Sequence, residues 1–231
     1  MRRRRMLDLY CCAGGAARGY QLAGWEVDGV DVVRQPRYAG DRFVQGDAIE
    51  YLLEHGHEYD AVHASPPCQA DCTLTLGTNQ HLAGNHTSWI AATRAALLIV
   101  GRPYVIEQPF PSRAKMRKDV MLCGLHFGLK VFRHRQFELG GWSMPNLAHK
   151  QSELHAGHRV AGWRHGVRYE GDMVAPYGDG GGKGSAADWQ AAMGIDWTDD
   201  KEELAEAIPP AYTRHIGAAL ALHVDGLPEA A

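Results

Sequence analysis

The chain reads as an α/β protein built on a doubly wound, mostly parallel sheet. Short apolar runs alternate with helix-like segments from residue 6 to residue 107, and strand alternating with helix is the pattern of parallel sheets. Two of the runs stop at sharp punctuation, the glycine pair Gly14-Gly15 and the proline pair Pro66-Pro67. At 231 residues, 45% hydrophobic and 22% charged, the chain can bury one substantial core and carry a small added lobe.

Taken in order, residues 6–10 read as a buried strand, and residues 16–23 as a helix after the glycine turn. A second strand over 26–32 ends near Asp31, and a short third over 42–44 leads into a helix over 47–55. Residues 59–64 form a fourth strand aimed at Pro66-Pro67. Proline cannot donate to a sheet ladder, so this strand ends abruptly and the next residue is held on a stiff turn. Residues 65–85 read as a polar loop, long enough to imply function. A helix over 88–100 precedes a strand over 104–107, stopped by Pro109. Arg133 and Arg135 alternate within 132–137, which predicts that both face one side of a strand.

After about Leu139 the pattern breaks. Residues 141–184 are rich in histidine, arginine and glycine with little amphipathic period, while helix returns over 185–193 and 209–223. This predicts an α/β unit over 1–139, a small lobe over 140–184, and helices over 185–231 that return to the first unit.

No apolar stretch is long enough to span a bilayer, so no membrane role is expected. The basic start Arg2-Arg3-Arg4-Arg5 reads as a mobile arm or a surface edge. Cys11, Cys12, Cys68, Cys72 and Cys123 make an odd set without framework spacing, which points to a reducing, cytoplasmic compartment. Net charge is −3, but nine acids fall after residue 184 against only Lys201 and Arg214. The overall sign therefore does not exclude a nucleic-acid face elsewhere.

Asp8-Leu9-Tyr10 running into Gly14-Gly15 is a strand entering a tight turn before a helix, where backbone N–H groups are free and a ligand can approach closely. The spacing is not that of a dinucleotide fingerprint. A lone glycine turn also suits a purely structural role, but acids at the next two strand ends favour a ligand. Asp31 is placed to accept from ribose hydroxyls, and Asp47, with Ala48 behind it, from an adenine amino group. Cys68, after the proline pair, suits a nucleophile better than a packing residue, although buried cysteines are usually inert. Glu107 either caps the next turn or, partly buried, holds a raised pKa and donates a proton. Arg133 and Arg135 are either a solvated edge or a guanidinium pair for phosphate or a carbonyl. Cys68 and Cys72 have no matching second pair, and His149, His155 and His158 lack companion cysteines at metal spacing, so no metal is expected.

In order, these residues resemble the cytosine-5 DNA methyltransferase family, especially its compact phage forms, over most of 6–139 and again over 202–222. Asp8-Leu9-Tyr10 through Gly15 is similar to the family's cofactor motif, and Asp31 and Asp47 to its ribose and adenine acids. Ser65-Pro66-Pro67-Cys68-Gln69 resembles the nucleophile motif, Glu107 the catalytic glutamate, Arg133-His134-Arg135 the paired arginines, and Ala207-Ile208-Pro209 the closing motif. Departures are Ser65-Pro66 for Gly-Phe, Gln108-Pro109 for Asn-Val, Val131 for a glutamine, and Ala205-Glu206 for Gly-Asn.

The resemblance implies a Rossmann-like methyltransferase fold, S-adenosylmethionine as methyl donor, and DNA as partner, with a flipped cytosine attacked by Cys68. It implies that Pro67 and Gln69 line the substrate, and that Arg159, Arg164 and Arg168 of the lobe hold phosphates or read guanine edges. Methylation of RNA or another pyrimidine stays open because the lobe is short. A catalytically silent nucleic-acid binder stays open too, although it needs neither Cys68 nor Glu107. A dinucleotide oxidoreductase is excluded by the glycine spacing. Target sequence, strand preference, pairing with a restriction enzyme and oligomeric state are not legible, a monomer being the default.

Overall fold

The computed structural model describes residues 3–67, 89–164, 167–177 and 184–226. Seven strands form one sheet in the order β3-β2-β1-β4-β5-β7-β6. β1 (Arg4–Leu9), β2 (Trp25–Asp31), β3 (Arg42–Gln45), β4 (Ala61–Ala64) and β5 (Tyr104–Pro109) run parallel. β7 (Arg135–Gly140) is inserted antiparallel between β5 and β6 (Val120–Leu122). The strand order reverses direction between β1 and β4, and in open α/β sheets that switch point is where ligands bind, beyond the carboxyl ends of the strands.

Alternation along the strands sends side chains to two helical layers. Met6 packs with Ala16, Ala17 and Tyr20 of α1 (Gly15–Leu22) and with Tyr212, Ile216 and Leu220 of α7 (Pro210–Asp225). Leu7 and Leu9 point the other way, onto Leu52 of α2 (Ala48–His55) and Ala96 and Leu97 of α3 (Ile90–Val100). A third cluster, Val131, Trp189, Met193, Ile195 and Leu204, joins α5 (Ala186–Met193) and α6 (Lys201–Glu206) to the segment before β7. Between them, residues 141–184 supply the short helix α4 (Gln151–Leu154) and a hairpin of β8 (Gly162–Arg164) and β9 (Val167–Tyr169).

Several local expectations are corrected. Of the two readings of the basic start, a mobile arm or a surface edge, Arg4 and Arg5 follow the second as the first residues of β1: Arg5 lies 3.1 Å from buried Asp28 and stacks over the Tyr59 ring, while Arg4 pairs with Asp225. The strand proposed over 132–137 starts only at Arg135, because Arg133 takes a left-handed backbone with φ 35°. β6 was not foreseen. The loop call over 65–85 lies largely outside the described residues. Among those described, no helix is long and apolar enough to cross a membrane.

Candidate active site

At the carboxyl ends of β4 and β5 the register sets the site. Ala64 pairs with Ile106, which brings Ser65 beside Glu107. On the other flank Glu107 pairs with Phe137 and Pro109 with Arg135, so Arg135 reaches Glu107 diagonally. Its Nε stands 2.8 Å from Oε1 of Glu107, an ion pair whose N–H is not directed well enough to count as a hydrogen bond. Glu107 is 4% exposed. Burial raises its pKa above the ordinary carboxylate value, while Arg135, Arg133 and a hydrogen bond from Ser65 oppose the rise.

Ser65 belongs to a buried chain of hydrogen bonds. His63 Nε2 lies 3.0 Å from Ser65 Oγ, and His63 Nδ1 lies 3.0 Å from the Tyr20 hydroxyl. Complete burial pushes His63 down to about 3, so its ring is neutral. With Ser65 donating to Glu107, the hydroxyl accepts from His63 Nε2–H and Nδ1 accepts from Tyr20. The side chains of α1 and β4 thus orient a carboxyl group on β5. His63 and Tyr20 escaped sequence reading, since a histidine inside an apolar strand resembles a packing residue, and Ser65 was read only as part of the proline motif.

Gln108 escaped it as well. Its Nε2 donates to the Pro66 carbonyl at 2.6 Å, in a buried position, and so clamps the proline turn from the neighbouring strand. Pro66 is buried and Pro67 is exposed at the end of the described segment. Cys68 and Gln69 lie outside the described residues.

The two arginines part company. Arg133 donates to the carbonyls of Ala205 (2.5 Å), Ala207 (2.6 Å and 2.9 Å) and Pro176 (3.1 Å). Burial, then Arg135, lower its pKa to about 9, still high enough to keep the guanidinium charged at neutral pH. The expectation that both guanidinium groups face one side is corrected: the left-handed turn at Arg133 sends that group to the α6–α7 junction. Arg133→Ala should remove about 3 kcal/mol of stability, since charged donors to buried carbonyls contribute about 1.5–3 kcal/mol each and act here as a set. Thermal unfolding should fall by roughly 6–12 °C, with Arg133→Lys intermediate. An unchanged midpoint would show that these bonds contribute nothing.

The β1–α1 turn forms the second half of the site. Tyr10 and Cys12 have φ 58° and 44°, and Gly14 has φ 85°. A Cβ on Gly14 would meet the Ala39 amide at 2.8 Å, and one on Gly15 the Ile208 carbonyl at 2.4 Å. The space on the missing-Cβ side of these glycines is filled by protein, by Tyr38 and Ala39 at Gly14 and by Ala207 and Ile208 at Gly15. A ligand must meet the turn from the strand edge. There Asp31 accepts from the amides of Cys12 (3.0 Å) and Val33 (2.9 Å), and each oxygen keeps a second lone pair. Glu206, an exposed residue, turns its carboxyl end to Cys12. Partial burial of that end, then Asp31, raise its pKa. Asp47 is exposed and caps α2 through Oδ1, accepting from Ile49 and Glu50 at 2.8 Å and 2.9 Å, with Ala48 buried behind it. The Tyr10 hydroxyl is tied to Thr93 at 2.9 Å, and Leu9 is fully buried, so only its main chain can face the edge.

Asp8 is buried behind this turn. It is 1% exposed on the α1 side of the sheet, within electrostatic reach of Asp31 and Cys11, and neither oxygen has a close hydrogen-bond partner among the described residues, the Ala17 amide being the backbone group that favours its charge. Burial, then Asp31, hold its pKa well above the carboxylate value. A folded pKa above the unfolded value of about 3.9 means the folded state keeps a proton that the unfolded state releases. Stability is thus fully present below pH 4 and is lost as pH rises toward the folded pKa. Urea titrations should show wild type losing up to about 1.4 kcal/mol per pH unit there relative to Asp8→Asn; parallel profiles would contradict it.

In the lobe, Arg159 and Arg168 are exposed, and Arg164 lies on β8. His158 pairs with Asp172 at 2.5 Å.

The fold class is that of methyltransferases with a mixed seven-stranded sheet, and solved structures share it. A protein assigned as a DNA modification methyltransferase, encoded within an E. coli prophage, matches with TM-score 0.62 at 10% identity, over 96% of this chain and 99% of that one. The S. pombe Dnmt2 methyltransferase matches at 0.56 and 14% identity, over 97% and 100%. The Entamoeba histolytica methyltransferase EhMeth matches at 0.54 and 12% identity, over 99% and 100%. No family model and no curated protein matches the sequence itself.

Proposed function

We propose that this chain transfers a methyl group from S-adenosylmethionine to carbon 5 of cytosine in DNA. The observation that carries the reading is the buried Glu107–Arg135 pair, set beside the Ser65-Pro66-Pro67 turn that leads to Cys68 and clamped there by Gln108.

The β1–α1 edge suits the cofactor's chemistry. Asp31 and Glu206 offer carboxylates to a molecule with sulfonium and ammonium charges and ribose hydroxyls. Asp47 keeps one oxygen for the adenine amine. When bound, S-adenosylmethionine supplies an electrophilic methyl group.

The chain's own residues do the rest. Cytosine carbon 5 is a weak nucleophile until the Cys68 thiolate adds to carbon 6 and turns the ring into an enamine. Glu107 donates to ring nitrogen 3 and accepts from the exocyclic amine, stabilising charge that develops during addition. Arg135 holds the Glu107 carboxyl and polarises the carbonyl at carbon 2. Loss of the carbon 5 proton then expels the thiolate. The base must leave the duplex stack for this, at a cost of a few kcal/mol. The segment over 140–184 serves as the recognition lobe, with Arg159, Arg164 and Arg168 on phosphates or guanine edges.

DNA carrying 5-fluorocytosine tests the covalent step, because fluorine at carbon 5 cannot leave as a proton. A denaturation-resistant protein–DNA adduct that requires S-adenosylmethionine is expected. Its absence, or its persistence in Cys68→Ser, would overturn the assignment of the nucleophile.

A further inference from the structure

Cys123, His134, His149 and His155 come from four separate stretches of chain, yet their ligand atoms all lie within 4.8 Å of one another. Cys123 follows β6, His134 immediately precedes β7, His149 lies in the loop beyond β7, and His155 caps α4. The Cys123 sulfur is 3.6 Å from His155 Nε2, and His134 Nε2 is 3.1 Å from His149 Nε2. In a tetrahedral zinc site, bond lengths of about 2.3 Å to sulfur and about 2.0 Å to nitrogen place donors about 3.5 Å apart for S···N and about 3.3 Å for N···N. Both observed separations fall near those values, and small side-chain rotations close the remaining gaps.

We propose that these four residues bind one structural zinc ion, independent of the methyl-transfer site. Two hydrogen-bonded pairs alone account poorly for the arrangement, since a ring nitrogen from each of three histidines and the sulfur of a buried cysteine all gather within 4.8 Å of one another. His126 stays outside the quartet, its Nδ1 accepting from the Cys123 amide at 3.3 Å. With four protein ligands the metal has no open position, which marks a structural rather than catalytic ion. It would fasten the loop and helix around 149–155 to the sheet, directly beside Arg135. The earlier expectation of no metal rested on missing cysteines near the histidines; here the cysteine and one histidine come from far along the chain, and His158 is engaged by Asp172 instead.

Untagged protein grown with zinc and dialysed into metal-free buffer should carry about one zinc per chain by mass spectrometry of the digested sample. Cys123→Ser and His155→Ala should fall below about a tenth of that, while His158→Ala keeps it. Should the variants fail to fold, wild-type protein stripped by chelator and titrated with Co²⁺ gives a second readout. A thiolate-to-cobalt charge-transfer band with intense tetrahedral visible bands is expected. Wild type with negligible zinc, cobalt binding without a thiolate band, or full zinc in folded Cys123→Ser would each overturn the proposal.

Discussion

Cys68→Ser is expected to abolish methyl transfer, by at least about 10³-fold in kcat, with DNA affinity held within about twofold. A serine hydroxyl is far less acidic than a thiol, and nothing in the described site is built to deprotonate it: His63 is committed to Tyr20 and Ser65. Without addition at carbon 6, carbon 5 keeps its aromatic inertness, so binding survives without turnover. Gel-shift affinity and single-turnover methylation on the same preparation separate the two effects. Turnover near the wild-type rate would remove Cys68 from the chemistry.

Glu107→Gln should lower kcat by about 10²–10⁴-fold with little change in DNA affinity, the range expected for a positioned general acid. The amide still fits between Ser65 and Arg135, so folding should be preserved. It can neither donate as an acid nor balance the guanidinium. The pH dependence gives a second check. Burial lifts the Glu107 pKa, so the wild-type rate should fall as pH rises through that value, and the variant should lack this limb. A variant rate within a few-fold of wild type would reduce Glu107 to a packing carboxyl.

The parallel half of the sheet was legible because its strands are apolar runs ended by Gly14, Pro66 and Pro109, signals local in the chain. β7 was legible only in part, over 135–137 of the strand expected at 132–137, since its charged and polar residues are buried through distant partners. Glu138 is 0% exposed, bound to Arg94 of α3 at 2.8 Å and 2.7 Å, and such pairing leaves no period to read. Arg133 misled because alternation assumes extended backbone, which its positive φ breaks. Asp31 and Asp47 stand at the strand ends where the alternation put them, but their visible bonds go to backbone amides. The Tyr20–His63–Ser65 chain and the Cys123 cluster were hidden for one reason: each joins side chains from segments that meet only after folding.

The central claim is tested most directly by incubating the protein with labelled S-adenosylmethionine and unmodified genomic DNA, then digesting the DNA and identifying the labelled nucleoside by mass spectrometry, with RNA run in parallel. The predicted result is label in 5-methylcytosine from DNA, lost in Cys68→Ser. Label in N4-methylcytosine or N6-methyladenine, label confined to RNA, or cofactor binding without any methylated nucleoside would contradict it.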